Sequence, residues 1–404
     1  MKTIFKLIGV VFLLIPLLSF QPGLTHKKYV ITAFGAKGDH KNMNTIAIQN
    51  CIDKCSLEGG GTVIVPEGVF LTGAIFLKKK VSLQIEKGGK LKGSVNPADY
   101  PQVKTRWEGE EKEWIAALVN AINLADISVT GDGTIDGSGE VWTERGGRPR
   151  LIAIQNCHQI KVNGLRLLNQ ASWGLFVLYS TNVDISGLHI TAEHHIPSSD
   201  GIDIDSSSKV HISDTFIDVN DDCISIKSGK DEDGLRVNRP AEQILIEKCH
   251  FAYGHGGVAM GSETSGGIRN VEVRDCIADA SNWAPIRFKS QPSRGGVVEN
   301  ITYRDILLKG TRKAFEFNMA WRMVHPKPAA KVLPVVRNIQ IINVSGTADA
   351  VGDMTGLPHS PIIGVKFMNC HIDAKKGFTI AHVQDIDLSG LKITGVNGET
   401  IIKK

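Results

Sequence analysis

The sequence predicts an all-β fold: a single-stranded right-handed parallel β-helix, or solenoid of stacked coils, with an N-terminal capping helix. Two observations predict it. A short strand phrase recurs along most of the chain, and no amphipathic pattern of helical length fills the segments between its copies. Glycine, at 42 of 404 residues, supplies many tight turns, and 42% hydrophobic residues supply a sizeable core. This composition excludes disordered, collagen-like and coiled-coil chains.

The recurring phrase is a period-2 strand, apolar-x-apolar-x, closed by a small or polar turn residue, and it returns at intervals of roughly 20 to 40 residues. Each interval has room for two or three short strands, and coils stacked in parallel bury a continuous core between them. A β-propeller is the alternative, with about 40 to 50 residues in each four-stranded blade. The copies of this first series begin at Ile127, Ile160, Val183, Val210, Ile244, Val271, Ile301, Ile339, Val365 and Ile386.

A second series of strands can be aligned by its last residue. The first and third residues of each phrase are apolar and are predicted to face the core, so the second and fourth residues are predicted to face solvent. The copies begin at Ile152, Phe176, Ile202, Ile224, Val258 and Ile286. The residues predicted to face solvent include Val177, Tyr179, Asp203, Asp205, Ser225, Lys227, Arg287 and Lys289.

The first residues have the pattern of a secretory signal peptide. Lys2 and Lys6 precede a run without charge that ends at Phe20. We therefore predict a signal peptide at residues 1–25 and one β-helix domain at residues 26–404, exported to the periplasm or the medium. A retained membrane anchor, which needs about 20 apolar residues, is the alternative. The net charge of +4 is too small to indicate a nucleic-acid or membrane partner.

A helix is predicted around Thr45 to Cys55, just ahead of the glycine-rich turn that begins at Gly59. An open solenoid end exposes apolar side chains and unpaired strand edges, so we expect this helix to cap the N-terminal end. Cys51 and Cys55 lie four residues apart on it, and a disulfide would join them only with distortion.

The remaining cysteines argue for packing. Seven cysteines in an exported chain first suggest disulfides, but Cys157, Cys249, Cys276 and Cys370 occupy similar places in repeated phrases. Buried cysteine behaves as a small hydrophobe, so we predict that these four repeat inward positions of the stacked core.

Candidate acid and base groups cluster at the turns that enter the second series of strands. Asp200, the pair Asp221-Asp222 and His255 precede successive strands. Because parallel strands lie about 4.8 Å apart, we expect Asp200 beside the aspartate pair and His255 one coil beyond. A single aspartate in a turn often only caps backbone N–H groups. Three stacked carboxylates repel one another, however, so one holds its proton while others stay ionised, which suits an acid and a base.

Two cations, Arg287 and Lys289, follow on the next strand, two residues apart on one face. Such a pair forms a fork suited to an anionic sugar. The alternative is a surface salt bridge with Asp203 or Asp205 on a neighbouring coil.

The segments around these residues resemble, in order and spacing, the four motifs of glycoside hydrolase family 28, the polygalacturonases. The resemblance implies a pectin-degrading hydrolase that cleaves α-galacturonosyl linkages of an acidic polysaccharide or oligosaccharide with inversion. We expect it to act as a monomer without a cofactor or a metal ion. The matching segments are Ser198-Ser199-Asp200-Gly201, Asn220-Asp221-Asp222, Gly254-His255-Gly256 and Arg287-Phe288-Lys289, and the N-terminal segments at Phe34 and Gly59 are also similar.

The resemblance also implies a role for each residue. Asp221 is the implied general acid, while Asp200 and Asp222 hold and deprotonate the water. A water between sugar and base leads us to expect carboxyl separations of about 6.5 to 9.5 Å. His255 is implied to tune the acid through a hydrogen bond. The fork of cations is implied to bind the substrate carboxylate.

Two departures from the family pattern bear on the substrate. Ser198-Ser199 stands where Asn-Thr is usual, and Phe288 where Ile is usual. We expect these changes to alter the subsite that positions the sugar. Relatives that act on rhamnogalacturonan tend to lack the Gly-His-Gly and basic motifs, so galacturonate on both sides of the bond is favoured. A rhamnogalacturonan or side-chain galacturonidase is the alternative.

Two other classes compete with a hydrolase. A calcium-dependent pectate lyase shares the β-helix, and clustered carboxylates suit a hard cation, but a lyase needs no protonating carboxyl. A non-catalytic polysaccharide-binding solenoid has no use for three crowded acids.

Two insertions, at residues 106–114 and 319–328, interrupt the repeat with Trp, Arg and His residues that stack on or bind sugars. Long loops on a solenoid are often functional. If these loops wall off one end of the cleft, attack is from the chain end; plain packing between coils is the alternative.

Overall fold

The computed structural model describes residues 27–142, 147–322 and 327–404. The predicted signal peptide lies outside these residues. The helices are α1 (Thr45–Leu57), α2 (Asp231–Val237) and three short 3-10 helices (Ile31–Phe34, Pro97–Asp99 and Gly139–Val141). None of the helices in these three stretches has the length and apolar composition of a membrane span.

Short strands make up the first half of the chain. They are β1 (Lys28–Val30), β2 (Asp39–Met43), β3 (Gly61–Val65), β4 (Gly68–Thr72), β5 (Ile75–Phe76), β6 (Val81–Ile85), β7 (Gly89–Gly93), β8 (Gln102–Trp107), β9 (Glu110–Ile115), β10 (Val119–Ile122), β11 (Ala125–Gly131), β12 (Thr134–Asp136), β13 (Ile152–Gln155), β14 (His158–Asn163), β15 (Arg166–Leu168), β16 (Leu175–Leu178), β17 (Thr181–Ser186), β18 (His189–Thr191), β19 (Ile202–Asp205), β20 (Ser208–Ser213), β21 (Phe216–Asp218) and β22 (Asp222–Lys227).

Longer strands follow, several of which turn corners without a break. They are β23 (Ala241–Glu247), β24 (His250–Met260), β25 (Ile268–Lys289), β26 (Val297–Asn318), β27 (Val335–Thr355), β28 (Ile362–Met368), β29 (Cys370–Ala381), β30 (Val383–Asp387), β31 (Leu391–Thr394) and β32 (Ile401–Lys403).

The strands wind into coils with three faces. Thirty strands form one continuous sheet, paired in parallel from coil to coil. Sheet 1 contains β13, β16, β19 and β22, sheet 2 contains β14, β17, β20 and β23, and sheet 3 contains β15, β18 and β21. The predicted parallel β-helix is confirmed, and a propeller is excluded because propeller blades pair their strands within one antiparallel unit.

The first predicted series forms sheet 2 in the predicted register. Its leading residues stack one above another, as in Ile160, Val183, Val210 and Ile244. The later members continue the same column through β25, β26, β27, β28 and β30.

The second predicted series forms sheet 1, with one error of register. Val177, predicted to face solvent, pairs with Ile154 and Ile204 and lies in the core. Phe176 and Leu178 instead face outward and pack in a small separate cluster. All four residues of β16 are apolar, so alternation did not distinguish its two faces, and a slip of one residue exchanges them.

The outer face of sheet 1 is covered, contrary to the prediction that it faces solvent. Asp203 and Asp205 are fully buried, and Lys227, Arg287 and Lys289 are at most 7% exposed. The antiparallel hairpin β8–β9 lies over part of this face. Its turn residues, Glu108 and Gly109, both have positive φ, as a type I′ turn requires.

Arg106, on strand β8, anchors the hairpin to sheet 1. Its fully buried guanidinium donates to Asp205 at 2.6 Å, to the Ser206 hydroxyl at 2.8 Å and to the Tyr179 hydroxyl at 2.6 Å. Because a buried charge is costly unless it is paired and hydrogen-bonded, this contact fixes the hairpin beside the coils.

Helix α1 caps the N-terminal coils, as predicted. Its inward face buries Ile48, Cys51, Ile52 and Cys55. Gln49 also covers a strand edge: its side chain accepts from the Phe76 N–H at 2.9 Å and donates to the Phe76 carbonyl at 3.0 Å. The cap therefore supplies hydrogen bonds that the first strand of sheet 1 would otherwise lack.

The cysteines are buried and unpaired. Cys157, Cys249, Cys276 and Cys370 belong to the continuous core, as predicted, and all seven thiols are free. The core therefore relies on stacked apolar side chains rather than on disulfides.

Candidate active site

A cavity of about 440 Å³ opens on the outer side of sheet 1. It collects side chains from successive coils, from the β8–β9 hairpin and from the segment after β26. The lining residues are Trp107, Glu108, Trp173, Ser198, Asp200, Asp221, Lys227, His255, Ser262, Glu263, Trp283, Arg287, Lys289 and Trp321.

Three aspartates meet at this cavity, as the sequence predicted: Asp200 and Asp221 line it, and Asp222 is fully buried beside them. Asp200 precedes β19, Asp221 precedes β22, and Asp222 begins β22. One carboxylate oxygen from each lies within 4.8 Å of the others. The expected separation of about 6.5 to 9.5 Å refers to whole carboxyl groups, and the nearest oxygen atoms of the three lie closer than that.

Glycines allow the backbone to approach the acids. A Cβ atom on Gly256 would lie 2.7 Å from the Asp222 carboxylate, and one on Gly254 would lie 2.8 Å from the Asp221 carbonyl. Gly201, after the first aspartate, has the Cys223 carbonyl 2.5 Å from where its Cβ would stand. These glycine positions admit no side chain unless the coils move apart.

Arg287 and Lys289 project into the cavity wall, but they hold an acid of the protein. Both cations donate to the fully buried Asp222, Arg287 at 3.2 Å. Arg287 also donates from Nε to Glu316 at 2.6 Å. Asp203 and Asp205, the partners considered from the sequence, pair with other cations.

His255 contacts the aspartate that is most open to the cavity. Its Nδ1 lies 3.3 Å from Asp221 Oδ1, and its backbone N–H donates to the Asp221 carbonyl. The side chain of Asp221 is 29% exposed, against 5% for Asp200. Asp221 is therefore the acid best placed to reach a bound sugar.

The surroundings push the pKa values of Asp200 and Asp221 apart. Burial, and then the charges of Asp203 and Asp221, raise the pKa of Asp200 well above its usual value. Burial opposes ionisation of Asp221, but the hydrogen bond to His255 and the charge of Lys289 outweigh it and lower its pKa. The same hydrogen bond raises the pKa of His255. Of the two aspartates, Asp200 therefore holds a proton more readily, and in the His255–Asp221 pair the imidazole is the favoured proton holder.

Lys227 and Glu263 belong to the site although the sequence did not identify them as site residues. Lys227 Nζ lies 3.3 Å from Asp203, 3.5 Å from Glu263 and 3.8 Å from Asp200. Burial opposes ionisation of Glu263, but the charges of Lys227 and Arg294 lower its pKa to about 2. Lys227 stood among the outward residues of the second series, whereas Glu263 follows β24 in a segment without a strand pattern.

Aromatic side chains form the walls. Trp107 stacks on Trp114 at 4.4 Å and on Trp173 at 5.0 Å between ring centroids. Trp321 lies 4.9 Å from the Arg287 guanidinium. Both predicted insertions therefore reach the cavity, although residues 323–326 of the second lie outside the described residues.

The two departures from the family motifs differ in position. Ser198 lines the cavity, whereas Ser199 is buried and donates to the Ile196 carbonyl at 2.9 Å. Phe288 faces the core, where it stacks on Phe317 at 4.4 Å. The expectation that Phe288 alters the sugar subsite is therefore wrong, because its side chain points away from the cavity.

The three aspartates also form a cluster of oxygen ligands of the kind that a cation prefers. Two protein cations already contact Asp222, and Lys227 lies beside Asp200. These positive charges repel a divalent ion, so the residues present fit a metal poorly.

Comparison with known proteins agrees with this geometry. The profile described as glycosyl hydrolases family 28 matches residues 55–394. A probable polygalacturonase of Vitis vinifera is 33% identical over 366 residues, which cover 85% of this chain and 74% of the relative. The exo-poly-alpha-D-galacturonosidase of Dickeya chrysanthemi is 28% identical over 340 residues, 70% of this chain and 55% of that enzyme.

A solved structure resembles the whole coil stack. The exopolygalacturonase of Thermotoga maritima superposes with a TM-score of 0.84 at 28% identity, and the alignment covers 93% of both chains. Profile, relatives and structure agree, and the chain therefore belongs to glycosyl hydrolases family 28 and is a glycoside hydrolase.

Proposed function

We propose that this protein hydrolyses α-galacturonosyl linkages of pectin and releases sugars from the chain end. The observation that carries the proposal is the meeting of Asp200, Asp221 and Asp222 at a cavity that the first two aspartates and three cations line. The names of the grape, Dickeya and Thermotoga relatives support galacturonan as the substrate.

In the proposed reaction, Asp221 protonates the leaving glycosidic oxygen. The exposed Asp221 draws this proton from the pair that it forms with His255. Water attacks the anomeric carbon and gives its proton to Asp200, which must first be ionised. Asp222, held by Arg287 and Lys289, orients the water. These two cations also attract the carboxylate of the bound sugar.

Inversion remains part of the proposal, on the strength of the resemblance. The anomer released tests this directly, because closely spaced carboxyl groups are typical of retaining enzymes and wider ones of inverting enzymes. Proton NMR of the first sugar released, before mutarotation, distinguishes the two: a β-anomer supports inversion, and an α-anomer contradicts it.

Attack from the chain end is supported by the wall at the cavity. Lys327 links the hairpin to helix α2. Its Nζ lies 3.1 Å from Glu110, the first residue of β9, and 3.4 Å from Asp231, the first residue of α2. Two relatives that the chain resembles are named as exo-acting enzymes. A digest that yields one short product from the start supports exo attack, whereas a ladder of oligosaccharides contradicts it.

The central experiment compares the purified protein with its Asp221→Asn variant on de-esterified polygalacturonan. We expect reducing ends without new ultraviolet absorbance, and a loss of about 10²-fold or more in the variant. Absorbance would identify a lyase instead. If no sugar is released from polygalacturonan, a rhamnose-containing or branched pectin would be the substrate instead.

Export completes the proposal. We propose that residues 1–25 direct export, that residues 26–404 act as one domain, and that the enzyme is a monomer in the periplasm or medium. Mass spectrometry of the secreted protein would give the mature N-terminus, and light scattering its mass.

A further inference from the structure

Asp203 is a buried carboxylate that faces a buried lysine. It lies on β19, three residues after Asp200, and its side chain is fully buried. Among the described residues, its carboxylate oxygens accept no hydrogen bond of good geometry, and the close contact they make is an ion pair with Lys227. Packing alone gives no reason for such a group.

Lys227 is the ion-pair partner of Asp203. It comes from the next coil, and its Nζ lies 3.3 Å from Asp203 Oδ1 and 3.8 Å from Asp200 Oδ2. Trp173 covers it, with the ring centroid 4.5 Å from Nζ. The lysine therefore lies between Asp203 on β19 and Asp200 in the turn before it, and shares its charge between them.

Asp200 experiences opposed charges from this pair. Of the charged neighbours, Asp203 does most to raise the pKa of Asp200, and Lys227 lowers it. Asp203 itself has a pKa raised to about 7, first by burial, against the opposing charge of Lys227. The titratable and charged groups that face Asp200 and Asp203 from the surrounding elements are Arg148, Arg150, Asp221, Asp222, Lys227 and Glu263.

We propose that Asp203 and Lys227 are positioning residues whose opposed charges set the pH at which Asp200 becomes the base. This inference rests on the proposed function, because it takes Asp200 as the group that receives the proton from water. Asp203 does not line the cavity, so it acts on the reaction through its charged neighbours Asp200 and Lys227.

The charges predict shifts of opposite sign. Removal of Asp203 relieves repulsion, so Asp200 ionises at lower pH. Removal of Lys227 leaves three neighbouring carboxylates without their shared cation, so Asp200 ionises at higher pH. Removal of both charges cancels the two effects. A role limited to folding predicts no such cancellation.

The experiment measures kcat/KM against pH for the wild type and for Asp203→Asn, Lys227→Met, Lys227→Arg and the double variant Asp203→Asn/Lys227→Met. We expect the acid limb to move down by about one pH unit in Asp203→Asn, which raises kcat/KM about tenfold on that limb. In Lys227→Met we expect it to move up by a similar amount. The limb of Lys227→Arg and of the double variant should lie near the wild-type position. Limbs that stay in place, or that both move in the same direction, overturn the proposal.

A second readout separates this proposal from the proposed function. Carbon-13 NMR of labelled aspartate carboxyls, with Asp200 assigned by its loss in Asp200→Asn, follows the titration of Asp200 without any substrate. If galacturonan is not cleaved but the Asp200 titration moves down in Asp203→Asn, the proposed function fails and the charge pair stands. If the titration of Asp200 is unchanged in that variant, the charge pair fails even in an active enzyme. Thermal unfolding of each variant identifies any that does not fold.

Discussion

Burial of Asp200 stabilises its protonated form, so this residue destabilises the fold whenever it is ionised. Its pKa is raised above the value of the unfolded chain, first by burial. An acid of this kind costs stability as the pH rises above its unfolded pKa, and the cost grows until the pH reaches the folded pKa. Residues selected for chemistry often carry such a penalty.

We therefore predict that Asp200→Asn abolishes activity and yet raises Tm at neutral pH. A gain of roughly 2 °C corresponds to about 1 kcal/mol in a large domain. The gain should vanish near pH 3, where the wild-type carboxyl is protonated in both states. Calorimetry at both pH values measures it.

Asp205→Asn is the matched control for this prediction. Asp205 is buried on the same strand, but it accepts a hydrogen bond from Arg106. Its removal leaves a buried guanidinium without its counter-charge, so Tm should fall, by the equivalent of about 3–5 kcal/mol. A rise of Tm in both variants would contradict the role assigned to Asp200.

At His255 we predict an effect on the alkaline limb of activity. The hydrogen bond to Asp221 raises the pKa of the imidazole, so the pair keeps its proton as the pH rises above the usual histidine range. In His255→Gln the carboxyl alone must keep that proton. We expect kcat to fall by about 10²-fold and its decline at alkaline pH to begin at lower pH. An unchanged limb with a lower kcat would show that His255 only packs against Asp221.

The sequence predicted those site residues that lie next to a strand of the repeat. Asp200, Asp221 and His255 lie at corresponding turns of successive coils, so the periodicity of the sequence brought them together. The partners of the cations could not be predicted, because one strand face offers several carboxylates and only the three-dimensional packing selects Asp222. Lys227 was missed for the same reason.

Among the elements, the β8–β9 hairpin controls access to the site but follows no repeat. Its residues 106–114 are mostly charged, with one tryptophan near each end, so the sequence indicated an insertion and not two paired strands. The structure shows why it is ordered: Arg106 anchors it to sheet 1, and Trp107 stacks on Trp173. The function of this element depends on contacts almost 100 residues away in the sequence.

We predict that Trp107→Ala weakens substrate binding. Trp107 lines the cavity, and the loss of one aromatic contact of about 1 kcal/mol raises KM about fivefold. Trp114→Ala is the control, because Trp114 stacks on Trp107 at 4.4 Å but is absent from the cavity lining. Steady-state kinetics on oligogalacturonides give both values, and equal KM changes in the two variants would show that the hairpin moves as a whole.

The elements of the coil were predictable to different degrees. Sheet 2 was predicted in register because each phrase ends in a turn residue that fixes its alignment. In sheet 1 the same method failed at Phe176, where apolar residues occupy both faces. The strands of sheet 3 are only three residues long in β15, β18 and β21, too short for a period-2 pattern to stand out.

Over the whole molecule, the seven buried thiols lead to a prediction about redox behaviour. Burial raises the pKa of the Cys51 thiol to about 12 and that of Cys55 to about 11, which suppresses the reactive thiolate. A thiol reagent at neutral pH should therefore label few or none of the cysteines in the folded protein and all seven after unfolding in denaturant. Reductant should leave Tm unchanged, whereas a fall of Tm would reveal a disulfide.

The stacking of coils also determines how the molecule responds to force. Hydrogen bonds between neighbouring coils run along the solenoid axis, and the last strand, β32, pairs with β29 alone. A pull on the C-terminus along that axis therefore stretches and breaks the hydrogen bonds of one coil at a time. Since no disulfide joins one coil to the next, the chain should lengthen in a series of similar small steps. The catalytic coils, which lie in the middle of the stack, would keep their shape until the coils beyond them had peeled away.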